Sequence, residues 1–269
     1  MSLLNDCYIS YLNLDSRLDR REHIEKELFR VGIDATRTRG KLPHEFNLND
    51  PKLKVQVNRT PGSIGCHYGQ VEIMQKALDL NKHAFVLEDD THFCEDFLDR
   101  IKEIERFMDT HDNWAVWWLG GTCHNPAWWH TENHNSELQQ CKCTLGRDMD
   151  LTDNPRVIRT YAAFSTFAYI VNKKHLQYIL DFLEENIHLS MGIDWETFLF
   201  QPYLETYMYL PGCCRQINNQ SNIGKGETIF SSFAALNGSY ENSAYWFQER
   251  KEDFNPEIFD WGNLKKVVS

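Results

Sequence analysis

His83–Asp90, HAFVLEDD, is a stretch in which four apolar residues lead directly into three consecutive carboxylates. The run Ala84–Leu87 has the length of a buried strand, and its abrupt polar end favours a strand over a helix segment. Ligands of open α/β sheets bind just beyond the carboxyl ends of the strands, where Glu88, Asp89 and Asp90 would lie. The stretch therefore predicts a buried strand that delivers three acids to a ligand site.

Three neighbouring carboxylates repel one another, which raises their pKa values unless a cation neutralises them. Oxygen ligands suit hard divalent cations such as Mg²⁺ or Mn²⁺, which commonly bridge protein carboxylates and substrate phosphates. The alternative is an acidic turn, or the first turn of a helix, where acids interact favourably with the helix dipole. The tripeptide alone leaves both interpretations open.

The composition is that of a folded, acidic protein. The 269 residues are 42% hydrophobic and 13% aromatic, and their formal net charge of −11 argues against nonspecific binding to nucleic acid or anionic membranes. The N-terminus does not resemble a signal peptide, and no apolar run approaches the roughly 20 residues of a membrane span. We therefore expect a single domain over residues 1–269, located in the cytoplasm and either free or peripheral to a membrane.

The N-terminal segment predicts a strand followed by a helix. Cys7–Leu14 alternates apolar and polar residues, and Ser16 with Asp19 forms a capping-box pattern before a helix that Gly32 ends. The turn between the two elements carries three arginines, namely Arg17, Arg20 and Arg21. Arginine at such a turn can contact a nucleotide or a phosphate, but pairing with the neighbouring aspartates explains each arginine equally well.

Two glycines begin the next predicted helix. Gly62 and Gly65 precede Val71, Met74 and Leu78, which recur at helical spacing. Glycines at a helix start allow a ligand phosphate to approach the backbone closely, and they equally allow tight packing against a sheet. The sequence leaves both interpretations open.

Helices and strands continue to alternate along the rest of the chain. Amphipathic helices are predicted at Phe97–Met108 and Leu176–Ile187, and strands at Trp114–Leu119, Phe167–Val171 and Tyr207–Leu210. Alternation of this kind predicts an α/β fold.

A long polar segment, 122–160, is predicted to be a loop, and loops of this length are usually functional lids or disordered. It contains six residues able to bind zinc, namely Cys123, His124, His130, His134, Cys141 and Cys143. Their spacing matches none of the regular zinc-finger patterns, so a loop rich in these residues is favoured over a structural zinc site. The aromatic C-terminal tail, 225–269, is expected to pack back onto the body of the domain.

Six short motifs follow one another along the chain. They are Tyr11–Arg21 (YLNLDSRLDRR), Gly62–Cys66 (GSIGC), Val86–Asp90 (VLEDD), Phe167–Val171 (FAYIV), Gly192–Asp194 (GID) and Gln220–Ile223 (QSNI). In their order and spacing they resemble glycosyltransferase family 25, the group of lipooligosaccharide and procollagen galactosyltransferases. The resemblance covers most of the chain, from Cys7 to Gly224.

The resemblance implies a nucleotide-sugar-binding fold of the GT-A type, an α/β sandwich whose central sheet is mostly parallel and flanked by helices. It places Glu88 and Asp90, with Asp89 beside them, where the family's acidic motif holds Mn²⁺ (or Mg²⁺) against the diphosphate of a UDP-sugar. It also implies a nucleotide site formed by Asn13, Leu14, Arg17, Arg20, Gly62, Gly65, Glu88 and Asp89. Because the family transfers with inversion, a carboxylate must take the proton of the acceptor hydroxyl. Asp194 is predicted as this base, with Glu196 as the neighbouring alternative.

The implied activity is transfer of a hexose, galactose or glucose, from a UDP-sugar to a hydroxyl of a glycan, a glycolipid or a hydroxylated protein side chain. No nucleic-acid partner is expected. The chain departs from the family pattern at Gly69-Gln70, where Ser-His is usual, and at Asn222, where an aspartate is common. Two alternatives are a sugar- or protein-binding module of the same fold that has lost catalysis, and a metal-dependent hydrolase with water as acceptor.

Overall fold

The computed structural model of the chain describes residues 2–47, 50, 60–123, 149–161, 163–187, 192–217, 249–250 and 252. Their strands are β1 (Cys7–Asn13), β2 (Thr36–Arg39), β3 (His83–Glu88), β4 (Thr91–Phe93), β5 (Val116–Trp118), β6 (Thr122–Cys123), β7 (Met149–Leu151), β8 (Val157–Thr160), β9 (Ala163–Phe164), β10 (Ala168–Val171), β11 (Thr206–Tyr209) and β12 (Cys214–Gln216). Their α-helices are α1 (Leu18–Val31), α2 (Pro61–Asp79), α3 (Phe97–Met108), α4 (Leu176–Asn186) and α5 (Ile193–Phe200).

Eight of these strands form one central sheet in the order β2-β1-β3-β10-β5-β11-β8-β7. The pairs β1–β2, β1–β3 and β5–β11 are parallel, and the remaining four pairs are antiparallel. Within this sheet, β10 and β8 therefore run against the common direction of the other six strands. The predicted α/β class is confirmed, with β10 inserted in reverse between β3 and β5. Strands β4 and β12 form a separate ribbon, as do β6 and β9.

Helices cover both faces of the sheet. Along β3, Phe85 and Leu87 belong to a hydrophobic cluster with α1 and α3, whereas Ala84 and Val86 belong to a second cluster with α2, α4 and α5. All four side chains are completely buried. The uninterrupted apolar run of HAFVLEDD thus follows from burial on both sides of the strand. None of the described helices combines the length and the apolar composition that crossing a membrane requires.

The predicted end of helix α1 is confirmed, but its predicted start is wrong. Gly32 follows the helix with a φ of 69°, a left-handed conformation that glycine adopts without steric cost. Ser16 is not the N-cap, because the helix begins at Leu18 with Arg17 in the capping position and no side-chain cap. A turn closed by the Arg17 N–H and the Leu14 carbonyl separates β1 from the helix, and this turn contains Ser16.

The prediction of one continuous loop over 122–160 is wrong at both ends of the segment. Its first residues form β6, and its last residues form β7 and β8, which pair with each other beside β11 at the sheet edge. These strands are only two to four residues long, which is too short for a hydrophobic period to be visible. Residues 124–148, and with them five of the six candidate zinc ligands, lie outside the described residues. The Gln220–Ile223 motif lies outside them too, as does most of the tail 225–269.

Candidate active site

The acids of the HAFVLEDD stretch lie at the carboxyl edge of the sheet, beside the end of β1. Strands β1 and β3 pair in parallel, with Leu12 opposite Glu88. The next residues along the two strands, Asn13 and Asp89, therefore lie side by side at the same edge of the sheet. Asn13 Nδ2 donates a hydrogen bond to Asp89 Oδ2 at 2.7 Å. The parallel pairing thus brings together two parts of the predicted nucleotide and metal site.

Arg20 from α1 lies between Asp89 and Asp90. Its Nη1 is 3.0 Å from Asp89 Oδ1 and 3.1 Å from Asp90 Oδ2, and the three side chains are at most 10% exposed. Charge-assisted hydrogen bonds are strong when water is excluded in this way. Both oxygens of Asp89 therefore have protein donors, from Arg20 and Asn13.

Arg17 and Leu14 form the turn beside this network. The Arg17 guanidinium pairs with Asp19 at 2.8 Å, and the Arg17 carbonyl accepts a hydrogen bond from Asn13 Nδ2 at 3.0 Å. The Leu14 side chain packs so closely on Gly40 that a Cβ there would lie 2.8 Å from Leu14 Cδ2. These contacts hold the turn in place beside Asp89 and Asp90.

Glu88 ends β3 among hydrogen-bond donors from α2. Its Oε1 accepts from Gln70 Nε2 at 2.8 Å and from the Cys66 thiol at 3.3 Å. Desolvation, and then repulsion by Asp90 and Asp194, raises the pKa of Glu88 to about 8. A carboxyl with this pKa is mostly protonated at neutral pH, and a neighbouring cation would favour its ionised form.

Asp90 is the second acid of this stretch with a raised pKa. Desolvation raises the pKa of Asp90 to about 6, although the charge of Arg20 opposes the shift. Strand β12 packs against Asp90, whose carbonyl accepts a hydrogen bond from the Ile217 N–H at 2.9 Å. Gln216 Nε2 lies 3.5 Å from Asp90 Oδ1.

Asp194 lies in the first turn of α5 and is held by the turn Ser165-Thr166. Its Oδ1 accepts hydrogen bonds from the backbone N–H and the hydroxyl of Thr166, at 2.8 and 2.9 Å. Ser165 has a φ of 84°, which is uncommon for a residue other than glycine, and its N–H also bonds Asp194. Desolvation raises the pKa of Asp194 in spite of these donors. Gly192 occupies the N-cap position of α5, so Asp194 does not cap this helix.

Gln70 and Thr166 connect Glu88 with Asp194. Gln70 Nε2 lies 3.3 Å from both the carbonyl oxygen and Oγ1 of Thr166, and Gln70 Oε1 accepts a 2.7 Å hydrogen bond from the Tyr169 hydroxyl. The sequence assigned no site role to Thr166, included Tyr169 only within the FAYIV motif, and singled out Gln70 only as a departure from the family pattern. A glutamine on the buried face of an amphipathic helix was the one available signal.

Glu196 follows Asp194 by two residues in α5, and its side chain is enclosed. Its Oε2 lies 2.5 Å from His67 Nδ1, and the two side chains are 0% and 2% exposed. A carboxylate so enclosed is less accessible to an acceptor than Asp194, which is only partly buried. The geometry favours Asp194 among the two predicted bases.

The glycines of α2 are used in packing. A Cβ at Gly65 would lie 2.5 Å from the Lys41 carbonyl oxygen, and a Cβ at Gly69 would lie 2.3 Å from Leu12 Cδ1. Both distances are shorter than real Cβ contacts, so α2 approaches the chain beside it only because these residues are glycines. Gly62 is half-buried in the first turn of α2.

The carboxylates at the end of β3 suit a metal ion that takes only some of its ligands from the protein. Among the described residues, no three His, Cys, Asp or Glu side chains are grouped to hold a metal ion by themselves. Glu88 and Asp90 are two carboxylates whose repulsion a cation would relieve. Mg²⁺ is typically bound by one or two carboxylates together with substrate phosphates, and these two residues meet that requirement.

The model of glycosyltransferase family 25, described as an LPS biosynthesis protein, matches residues 7–195. The chain belongs to glycosyltransferase family 25. The matched region extends from β1 into α5 and includes Asn13, the acids Glu88–Asp90 and Asp194. Membership assigns glycosyl transfer as the activity class. No individual curated protein matches the sequence.

Proposed function

We propose that this family 25 protein is a metal-dependent, inverting glycosyltransferase of the GT-A type that transfers a hexose, galactose or glucose, from a UDP-sugar to a hydroxyl group. The supporting observation is the grouping of three carboxyls with raised pKa values, Glu88, Asp90 and Asp194, at one edge of the sheet. The acceptor is a glycan, a glycolipid or a hydroxylated protein side chain, and the family's description favours a glycan or glycolipid.

Glu88 and Asp90 are the residues that would hold Mn²⁺ or Mg²⁺ in this proposal. When bound there with the donor diphosphate, the ion would offset the negative charge that develops on the departing UDP. The Asp89 carboxylate is tied to Arg20 and Asn13, and this anchors the backbone between the two ligands. Asp89 therefore contributes by fixing its neighbours.

Asp194 is assigned the role of general base. Its ionised carboxylate accepts the proton of the acceptor hydroxyl while the hydroxyl oxygen bonds the anomeric carbon. The bond between that carbon and the diphosphate oxygen breaks, and its electron pair leaves with UDP. The two hydrogen bonds from Thr166 orient the carboxylate, and desolvation makes it more basic than an exposed aspartate.

The donor nucleotide is assigned to the rim formed by the turn of Leu14 and Arg17 and by the start of α2 with Gly62. The start of α2 adjoins the start of α5, because a Cβ at Gly192 would lie 3.7 Å from Ser63 Cβ. The residues assigned to the donor and the assigned base therefore lie on adjacent segments.

The proposal is tested by thermal unfolding of the protein with a panel of UDP-sugars, each in the presence of Mn²⁺ and of a chelator. A ligand that binds only the folded state raises the melting temperature by an amount that increases with the ratio of its concentration to its Kd. We expect UDP-galactose or UDP-glucose to raise the melting temperature only when Mn²⁺ is present. The absence of any shift with every nucleotide sugar would overturn the proposal.

Product analysis separates the proposed transferase from the two alternatives. Release of UDP that depends on an added acceptor glycan indicates transfer. Release of free hexose at the same rate without an acceptor indicates a hydrolase. Binding of a UDP-sugar with no release of UDP under any condition indicates a binding module.

A further inference from the structure

Gln70 is an enclosed amide in contact with the proposed metal site. Its side chain is completely buried, and Tyr169, whose hydroxyl contacts it, is 2% exposed. The amide nitrogen lies 2.8 Å from Glu88 Oε1, and the amide oxygen lies 2.7 Å from the Tyr169 hydroxyl. The amide thus spans the distance between a carboxylate and a phenol.

The chemistry of the neighbouring groups fixes the direction of the amide. The Thr166 carbonyl, 3.3 Å from Gln70 Nε2, only accepts hydrogen bonds, so the NH₂ group must face Thr166 and Glu88. The amide oxygen then faces Tyr169, whose hydroxyl must donate. Rotating the amide by half a turn would place its oxygen against the Thr166 carbonyl oxygen, where two acceptors repel. The Thr166 carbonyl therefore selects the orientation of Gln70, and the Tyr169 hydroxyl anchors the amide oxygen. Gln70 in turn supplies a donor at a fixed position to Glu88.

We propose that Gln70 is a positioning residue that holds the Glu88 carboxylate in the orientation in which it binds the divalent cation, and that Tyr169 acts through Gln70. This inference rests on the proposed function, because it assumes that Glu88 is a metal ligand. Hydrogen-bond partners of metal ligands fix ligand orientation, and their loss typically weakens metal affinity or activity by about 10–100-fold.

The test measures binding of Mn²⁺ to the whole chain in the presence of UDP, by titration with detection of free Mn²⁺. Gln70→Leu keeps the approximate shape of the side chain but removes both the donor and the acceptor. We expect its apparent affinity for Mn²⁺ to fall by about 10-fold or more. Gln75→Leu is the matched control, because Gln75 lies on the exposed face of the same helix. Its Mn²⁺ affinity should equal that of the unmodified protein.

Two further variants separate positioning from a general loss of structure. Tyr169→Phe removes only the hydroxyl that anchors the amide oxygen, and we expect an intermediate loss of Mn²⁺ affinity. Gln70→His restores a donor at one end and an acceptor at the other, so it should recover most of the affinity that Gln70→Leu loses. If Gln70→Leu fails to fold, the comparison of Tyr169→Phe with the unmodified protein provides the test.

The outcomes distinguish this inference from the function on which it depends. If the unmodified protein does not bind Mn²⁺ with UDP, the proposed function fails and the inference fails with it. If the unmodified protein binds Mn²⁺ and the Gln70 and Tyr169 variants bind it equally well, only the inference is overturned. Loss in Gln70→Leu together with recovery in Gln70→His supports it.

Discussion

Asp194 and Thr166 are joined by two hydrogen bonds that end on the same carboxylate oxygen. The backbone N–H of Thr166 donates to Asp194 Oδ1 at 2.8 Å, and its hydroxyl donates at 2.9 Å. Thr166 lies two residues before β10, and Asp194 lies in the first turn of α5. The contact therefore fixes the direction of the proposed base relative to the central sheet.

Asp194→Asn is expected to remove transfer while donor binding persists. The amide has the shape of the carboxylate but cannot accept a proton, and a positioned general base contributes roughly 10²–10⁴-fold to a rate. We expect kcat to fall within that range while the Kd for UDP with Mn²⁺ changes little, as measured by kinetics and calorimetry. Equal kcat values for the variant and the unmodified protein would exclude Asp194 as the base.

The pH dependence of kcat should carry the signature of Asp194. Its pKa is raised, and the base must be ionised to act, so the rate should fall as the pH falls through that pKa. Thr166→Val removes a donor that stabilises the ionised form, so it should move the acidic limb of the profile to higher pH. An unchanged acidic limb in Thr166→Val would mean that another group controls it.

The parts of the site that lie within one segment are visible in the sequence. Ala84–Leu87 is an unbroken apolar run, as expected of a strand that is buried on both faces. Glu88–Asp90 come directly after this strand, so they must lie at the carboxyl edge of the sheet. The family motifs added Asp194, which no local pattern distinguishes from an ordinary acid in a helix. The strand and its acids were predicted because their positions depend on their own neighbours along the chain.

The parts that the sequence did not reveal depend on distant contacts. Gln70, Thr166 and Tyr169 come from a helix, a turn and a strand, and they meet because β10 is inserted in reverse beside β3. Strand direction is a property of the whole sheet and leaves no periodic signal in a four-residue strand. Ser16 had the right residue type for an N-cap, but the turn closed by Leu14 and Arg17 places the start of the helix at Leu18.

Without metal, the contribution of Glu88 to the stability of the protein should decrease as the pH rises from about 4.5 to about 8, the interval between the ordinary pKa of Glu88 and its pKa in the fold. A raised carboxyl pKa means that the folded state binds the proton more tightly than the unfolded state, so the stabilisation is lost as that proton leaves. A shift of one pKa unit corresponds to about 1.4 kcal/mol, or several degrees in melting temperature.

Glu88→Gln tests the origin of this pH dependence. The variant should flatten the curve of melting temperature against pH, and it should melt at a higher temperature than the unmodified metal-free protein at pH 8. Glu22→Gln, on the exposed side of α1, should leave the curve unchanged. A Glu88→Gln variant with the original slope would place the titrating group elsewhere.

Gly65→Ala should destabilise the fold through a steric clash. The added Cβ would lie 2.5 Å from the Lys41 carbonyl oxygen, which belongs to the backbone and cannot rotate away. Overpacking of this kind typically costs about 1–3 kcal/mol, and urea unfolding should show a lower midpoint. Gly192→Ala is the control, because its Cβ would meet Ser63 at an ordinary 3.7 Å. Equal midpoints for both variants would show that Lys41 yields to the methyl group.

Arg20→Met should destabilise the protein far more than Arg21→Met. Arg20 is the cation between Asp89 and Asp90, and all three side chains are nearly inaccessible to water. Removing one partner of a buried ion pair leaves uncompensated charge and typically costs about 3–5 kcal/mol. Arg21 pairs with Glu25 at the surface, where water and salt weaken the interaction, so its loss should hardly change the melting temperature. Mn²⁺ with UDP should restore part of the stability of Arg20→Met, because the proposed site places a second cation beside Asp90. If Mn²⁺ with UDP stabilises the unmodified protein but restores nothing in Arg20→Met, Arg20 is needed to shape the metal site as well as to neutralise it.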